Sequence, residues 1–153
     1  TINVAGNNAV SSSILEMGST HKESSPESIY VGKEDVPIVT IDSIFKKYVG
    51  NSDVVFLKID VQGYEDFVLI GAKSNIKNVT AIKLELSLTS LYEGGKLYDF
   101  YFSKLEALGF DIHDLEPGYR HPKSGRLLQF DSLHVKKDAK YNKVTMPDPK
   151  NIT

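Results

Sequence analysis

The chain has 153 residues, 18 Lys plus Arg against 20 Asp plus Glu, 41% hydrophobic residues and a formal charge of -2. A chain of this length can bury roughly 70% of the surface its unfolded form exposes, enough for one real core. The near-neutral balance argues against capture of nucleic acid or an anionic membrane by charge alone, and the absence of cysteine removes disulfides, thiolate metal sites and cysteine nucleophiles together.

No apolar run approaches the ~20 residues of a membrane span and no leader pattern opens the chain, so a cytoplasmic protein is expected. Ser11 to Pro26, crowded with Ser, Gly and His, reads as peripheral, without a packed element of its own. Ile38-Val39-Thr40-Ile41 reads as a strand and Asp42 as the N-cap of a helix that runs through Tyr48 and stops at Gly50. Val54-Val55-Phe56-Leu57-Lys58-Ile59 is short, β-branched and almost continuously apolar, the pattern of a central parallel strand, and it ends at Asp60 and Gly63.

After Gly63 the period changes. Tyr64, Phe67, Val68 and Gly71 recur at helical spacing, with Glu65 and Asp66 in the first turn, where acids suit the helix dipole. Ala81 to Leu86 is a second strand, followed by a helix from about Lys96 to Leu108 that Gly109 ends. Strand, helix and strand with short joints make a right-handed βαβ unit and a parallel sheet. Phe110 to Leu115 and Leu127 to Val135 have no helix between them, so this pair must be antiparallel. Tyr98, Tyr101 and Phe102 share a helix face with Leu105, which makes that aromatic stripe core. The tail, residues 137–153, carries Pro147, Pro149 and alternating charges and reads as a solvated end.

Leu57-Lys58-Ile59-Asp60-Val61-Gln62-Gly63-Tyr64-Glu65, followed by Val68-Leu69-Ile70-Gly71-Ala72, resembles the signature of the FkbM family of S-adenosylmethionine-dependent methyltransferases. The resemblance continues in Thr40-Ile41-Asp42-Ser43-Ile44, in Leu84-Glu85 and in Phe130-Asp131-Ser132-Leu133, and covers about residues 36 to 136. It implies an α/β fold with a Rossmann-like class I methyltransferase sheet, mostly parallel and closed by a C-terminal antiparallel hairpin. Such sheets bind nucleotide-like ligands outside the carboxyl ends of their strands. It also implies two earlier strands, one leading to a glycine-rich turn and one ending in an acid that holds the ribose. Neither is in this sequence, where Gly6 is a lone glycine. Residues 1–136 are therefore expected to be a partial methyltransferase domain, with 1–35 irregular or peripheral and 36–136 its core. Open sheet edges then predict either self-association or a loose segment before about residue 36.

The implied activity is O-methylation of a hydroxyl on a sugar or other natural-product scaffold, with S-adenosylmethionine as cofactor and a small molecule or glycan as acceptor. A non-catalytic binding module that keeps the fold is the alternative. A phosphoacceptor receiver domain is a poorer match, since the closing hairpin contradicts it. The family motif places Asp60 at the catalytic edge of its strand, against a plain turn-forming role, and Asp60, Val61 and Gln62 beside the cofactor. Gln62 could equally satisfy turn backbone groups. Glu65 is explained as a first-turn carboxylate or as a catalytic-site group, through contact with the acceptor or through positioning the loop from Val61 to Tyr64. Glu85, flanked by Leu84 and Leu86, needs either a role on the acceptor or a buried partner such as Lys83 or Lys58. His113, His121 and His134 qualify as bases by residue type alone, and no ligand spacing predicts a metal.

Overall fold

The computed structural model describes residues 1–139. The two strands expected at the centre, β3 (Val55–Ile59) and β4 (Val79–Ser87), are adjacent and parallel, with Lys58 beside Lys83 and Ile59 beside Leu84. Between them runs α3 (Glu65–Gly71), the crossover that parallel pairing requires. The final pair, β5 (Phe110–Pro117) and β6 (Gln129–Lys136), is antiparallel as expected. The main sheet has the order β3-β4-β6-β5, with β6 inserted beside β4.

Alternation along β4 decides which face is core. Ile82, Leu84 and Leu86 are fully buried on one face, while Lys83, Glu85 and Ser87 stand half-buried on the other. α4 (Tyr98–Ala107) covers the apolar face with Tyr101 and Leu105, and Tyr98 and Phe102 meet Phe130 edge-on, so the aromatic stripe is core as its spacing suggests. The opposite face is charged. Lys83 bridges Glu116 and Asp131, and Glu85 lies beside Asp131 across the ladder.

Four expectations need correction. Residues 38–40 pair with no strand among the described residues, and Ile38 and Val39 are exposed. The β-branched residues lose to helix capping: Thr40 is the N-cap of α2 (Ile41–Tyr48), and its hydroxyl accepts from the Ser43 amide at 3.2 Å. Asp42 is consequently not the cap. Its carboxylate instead accepts from the amides of Ser74 and Asn75 and from the Asn75 side chain, tying α2 to the turn after α3.

The stretch from Ser11 to Pro26 is also packed. It contains α1 (Ser19–Ser24), and Met17, His21 and Ser24 are buried. Its serines bury cheaply because their hydroxyls find local partners, as in Ser24 to Thr20 O and Ser25 to the Glu27 carboxylate. The segment is stitched to the chain beyond β4 by the Gly18 amide donating to Leu91 O and the Glu93 amide donating to Glu16 O. Nor are the first 35 residues loose: β1 (Ile2–Ala5) pairs antiparallel with β2 (Tyr30–Glu34) in a second, two-stranded sheet. Residues 140–153 of the expected solvated tail lie outside the described residues.

Candidate functional site

The chemistry-bearing residues gather where β3 stops. Ile59 is the last core residue of the strand, and the chain then turns through Asp60, Val61, Gln62 and Gly63 into α3. The turn is tight enough to need left-handed backbone twice, at Gln62 (φ 53°) and at Gly63 (φ 95°). Glycine is required at 63 for a second reason, since a Cβ there would lie 2.9 Å from the Tyr92 Cβ.

Glu65 closes the turn from within. Its buried carboxylate accepts from the Gly63 amide at 3.0 Å and from the Val61 amide at 3.4 Å. Burial pushes its proton affinity up, and the two amides oppose that shift without cancelling it. Through these two bonds Glu65 is tied to the backbone of the loop from Val61 to Tyr64.

Asp60 stands at the carboxyl end of β3 with 38% of its side chain exposed. It accepts from Lys58 Nζ at 2.6 Å and from Gln62 Nε2 at 2.9 Å. Glu85 reaches the same place from β4, and its partners differ from those expected. Lys83 is engaged by Glu116 and Asp131, and Lys58 by Asp60. Glu85 Oε2 instead accepts from Gln62 Nε2 at 2.8 Å and from Gln129 Nε2 at 3.0 Å. Burial raises its proton affinity and the neighbouring Asp60 charge adds to the shift, while the Gln62 hydrogen bond works against it.

Gln62 is thus the hub of the site, donating to both carboxylates rather than to turn backbone. Its Oε1 accepts from the Tyr92 hydroxyl at 2.8 Å, and its backbone carbonyl accepts from Ser13 Oγ at 2.7 Å. Tyr92 and Ser13 come from segments that spacing alone did not connect to the loop. Tyr92 packs edge-on against buried His21, at 5.1 Å between ring centroids, so α1 supports the site from behind.

The remaining histidines do not converge here. His134 is buried on β6 beside Phe102, bonded to Ser132 Oγ at 2.6 Å, and burial pulls its imidazole down to about 4. His113 lies at the irregularity of exposed β5, and His121 accepts from the Lys123 and Ser124 amides of its own turn. Among the described residues no cluster of three or more His, Asp or Glu could hold a metal ion, and no helix is long and apolar enough to cross a membrane.

Beside the turn opens a cavity of about 620 Å³. Asp60, Val61 and Gln62 form one wall. Ser12 and Ser13 form a second, Thr40 and Ile41 a third, and Tyr64, Phe67 and Val68 of the α3 region a fourth. A mostly apolar cavity with a few convergent polar groups, in this size range, is the common form of a small-molecule site. No curated protein and no solved structure matches the chain. The family model for the methyltransferase FkbM domain does, over residues 1–112. That span takes in β1, the stretch around α1, the turn after β3 and the strand of Glu85. The chain belongs to the FkbM methyltransferase family.

Proposed function

We propose that residues 1–139 form the C-terminal part of an S-adenosylmethionine-dependent O-methyltransferase domain acting on a hydroxyl of a sugar or other natural-product scaffold. The observation that carries this reading is the cavity at the carboxyl end of β3, where Asp60, Val61 and Gln62 meet an apolar wall. In an open α/β sheet that end is where nucleotide-like ligands bind. The cavity's volume and its few polar groups fit a nucleoside sulfonium, with Asp60 the charged group on its wall. The Val61 amide is turned to Glu65, and the Gln62 side chain to the two carboxylates, so these two residues shape the pocket more than they grip a ligand.

S-adenosylmethionine supplies, when bound, an electrophilic methyl group for in-line transfer. The protein's part is to orient the acceptor and take its proton. Asp60 is the accessible carboxylate, kept in place by Lys58 and Gln62, and it accepts the hydroxyl proton in this reading. Glu85, whose burial raises its proton affinity, holds the acceptor hydroxyl from the β4 side.

In the same reading two strands of the domain are not among these residues. The open side of β3 supports this: it pairs only with β4 among the described residues, and Phe56 is 57% exposed. A polypeptide that supplies those strands tests the assignment. Asp60→Asn should lower its methyl-transfer rate at least a hundredfold and leave S-adenosylmethionine affinity within about threefold. An unchanged rate returns Asp60 to a turn-forming role. A wild-type protein that does not bind the cofactor at all replaces the enzyme by a non-catalytic module.

A further inference from the structure

We propose that Gln62 is a positioning residue whose side-chain amide, locked by the Tyr92 hydroxyl, directs its two hydrogens to Asp60 and Glu85 and so fixes the two carboxylates as one acceptor-facing pair. The inference rests on the reading above for its purpose, but its geometry stands independently of the cofactor.

A glutamine side chain has one acceptor oxygen and two donor hydrogens. Here the oxygen accepts from Tyr92 at 2.8 Å, and the nitrogen is 2.9 Å from Asp60 Oδ1 and 2.8 Å from Glu85 Oε2. The reverse orientation would set the amide oxygen against two carboxylate oxygens, so only one orientation satisfies all three neighbours. The backbone is held as firmly. Gln62 keeps a left-handed φ of 53°, rare for a residue with a side chain, while Ser13 Oγ holds its carbonyl at 2.7 Å. Strain that persists in the middle of a hydrogen-bonded network implies that the network fixes the residue there.

The arrangement has a consequence for Glu85. Both of its side-chain donors, Gln62 and Gln129, meet the same oxygen, Oε2, so the Gln62 amide ties this carboxylate to Asp60 at the cavity wall. The charges facing it are Asp60 at the end of β3, Lys58 on β3 and Asp131 across the ladder on β6. Removing the Gln62 donor would take away a hydrogen bond that favours the charged form of Glu85 while the Asp60 charge stays beside it, and the Glu85 carboxyl would become harder to ionise.

The test is a carboxyl-resolved NMR titration of the 153-residue chain, read at Glu85, in wild type, Gln62→Leu and Tyr92→Phe. The titration midpoint of Glu85 should move up by about one pH unit in Gln62→Leu, the worth of one hydrogen bond to a charged group. Tyr92→Phe leaves the amide in place but free to turn, and the midpoint should move up by a smaller amount. Tyr92→Phe decides the matter if Gln62→Leu does not fold. An unmoved Glu85 midpoint in a folded Tyr92→Phe chain overturns the proposal. Because no cofactor is present, a shifted midpoint in a protein that never binds S-adenosylmethionine would sustain the positioning role and sink the methyltransferase reading, and the converse would do the opposite.

Discussion

The main sheet has two edges, and they are built differently. β5 is guarded: Asp111, His113, Asp114 and Glu116 line it, the pairing slips between Ile112 and Asp114, and Pro117 ends it. Charge, irregularity and proline are the devices by which a permanent edge resists pairing with another chain. β3 has fewer of them: no proline, a single charge and one slip of its pairing, between Val55 and Phe56. It presents Val55, Phe56 and Leu57, with Lys58 its one charge, and the exposed Val54 precedes it. An edge of this composition lies beside the cavity and beside the turn that carries Asp60 and Gln62. In the proposed reading β5 is a finished boundary, and β3 is the surface that the two further strands would cover.

The largest expected effect checks that the sheet between these edges is an ordinary core. Leu105 is fully buried on the sheet-facing side of α4, so Leu105→Ala should cost about 3 kcal/mol in denaturant unfolding. Phe56→Ala should cost under about 0.5 kcal/mol, because that ring is largely in water already. Equal costs would mean that β3 is not an open edge.

Self-association tests the contrast directly. If β3 recruits a second copy, Phe56→Lys should weaken the association seen in sedimentation about thirtyfold, roughly the 2 kcal/mol of one buried aromatic side chain. Leu115→Lys on β5 should leave it unchanged. Dissociation by the β5 variant alone would reverse the assignment of the two edges.

A comparable cost is expected where β3 meets its turn. Gly63→Ala places a Cβ in left-handed backbone and against Tyr92, and should destabilise by about 2 kcal/mol in thermal unfolding. A neutral result would show that the turn relaxes freely and that Gln62 is not held.

The finished side carries a pH signature of its own. The folded protein resists protonating His134, so the stability this residue contributes is complete above its ordinary value of 6.5 and is lost as pH falls toward about 4. Glu65 and Glu85, whose proton affinities burial raises, act in the opposite sense: their contribution is complete below about 4.5 and is lost as pH rises. Comparing wild type with His134→Gln isolates the histidine. Between pH 7 and 5.5 wild type should lose about 1 to 2 kcal/mol more than the variant.

Much of this was legible in the residues, and the exceptions have physical causes. The change of period at Gly63 marks β3, α3 and β4 because each element buries one regular apolar face. Ile38 to Ile41 misled because β-branched residues favour extended backbone, yet a strand also needs a neighbour, and Thr40 was worth more as a helix cap. Ser11 to Pro26 misled because its burial rests on small hydroxyls satisfied locally and on Met17 and His21, which form no periodic pattern. In the site, Asp60 and Glu65 stand in one contiguous motif and could be found by it. Glu85 announced a need for partners but not their identity, since Gln62 and Gln129 lie 23 and 44 residues away and only the sheet order β4-β6 brings Gln129 alongside. Tyr92 carried no signal of its own.

The central claim is that the turn after β3 faces the cofactor. Amide-resolved NMR of the 153-residue chain, titrated with S-adenosylmethionine, tests it most directly. Shifts should appear at Val61, Gln62, Ser12 and Ser13 and approach saturation only well above micromolar concentration. Shifts confined to the groove of Leu88, Leu115 and Leu127 at the far side of the sheet, or none at millimolar cofactor, would contradict the account.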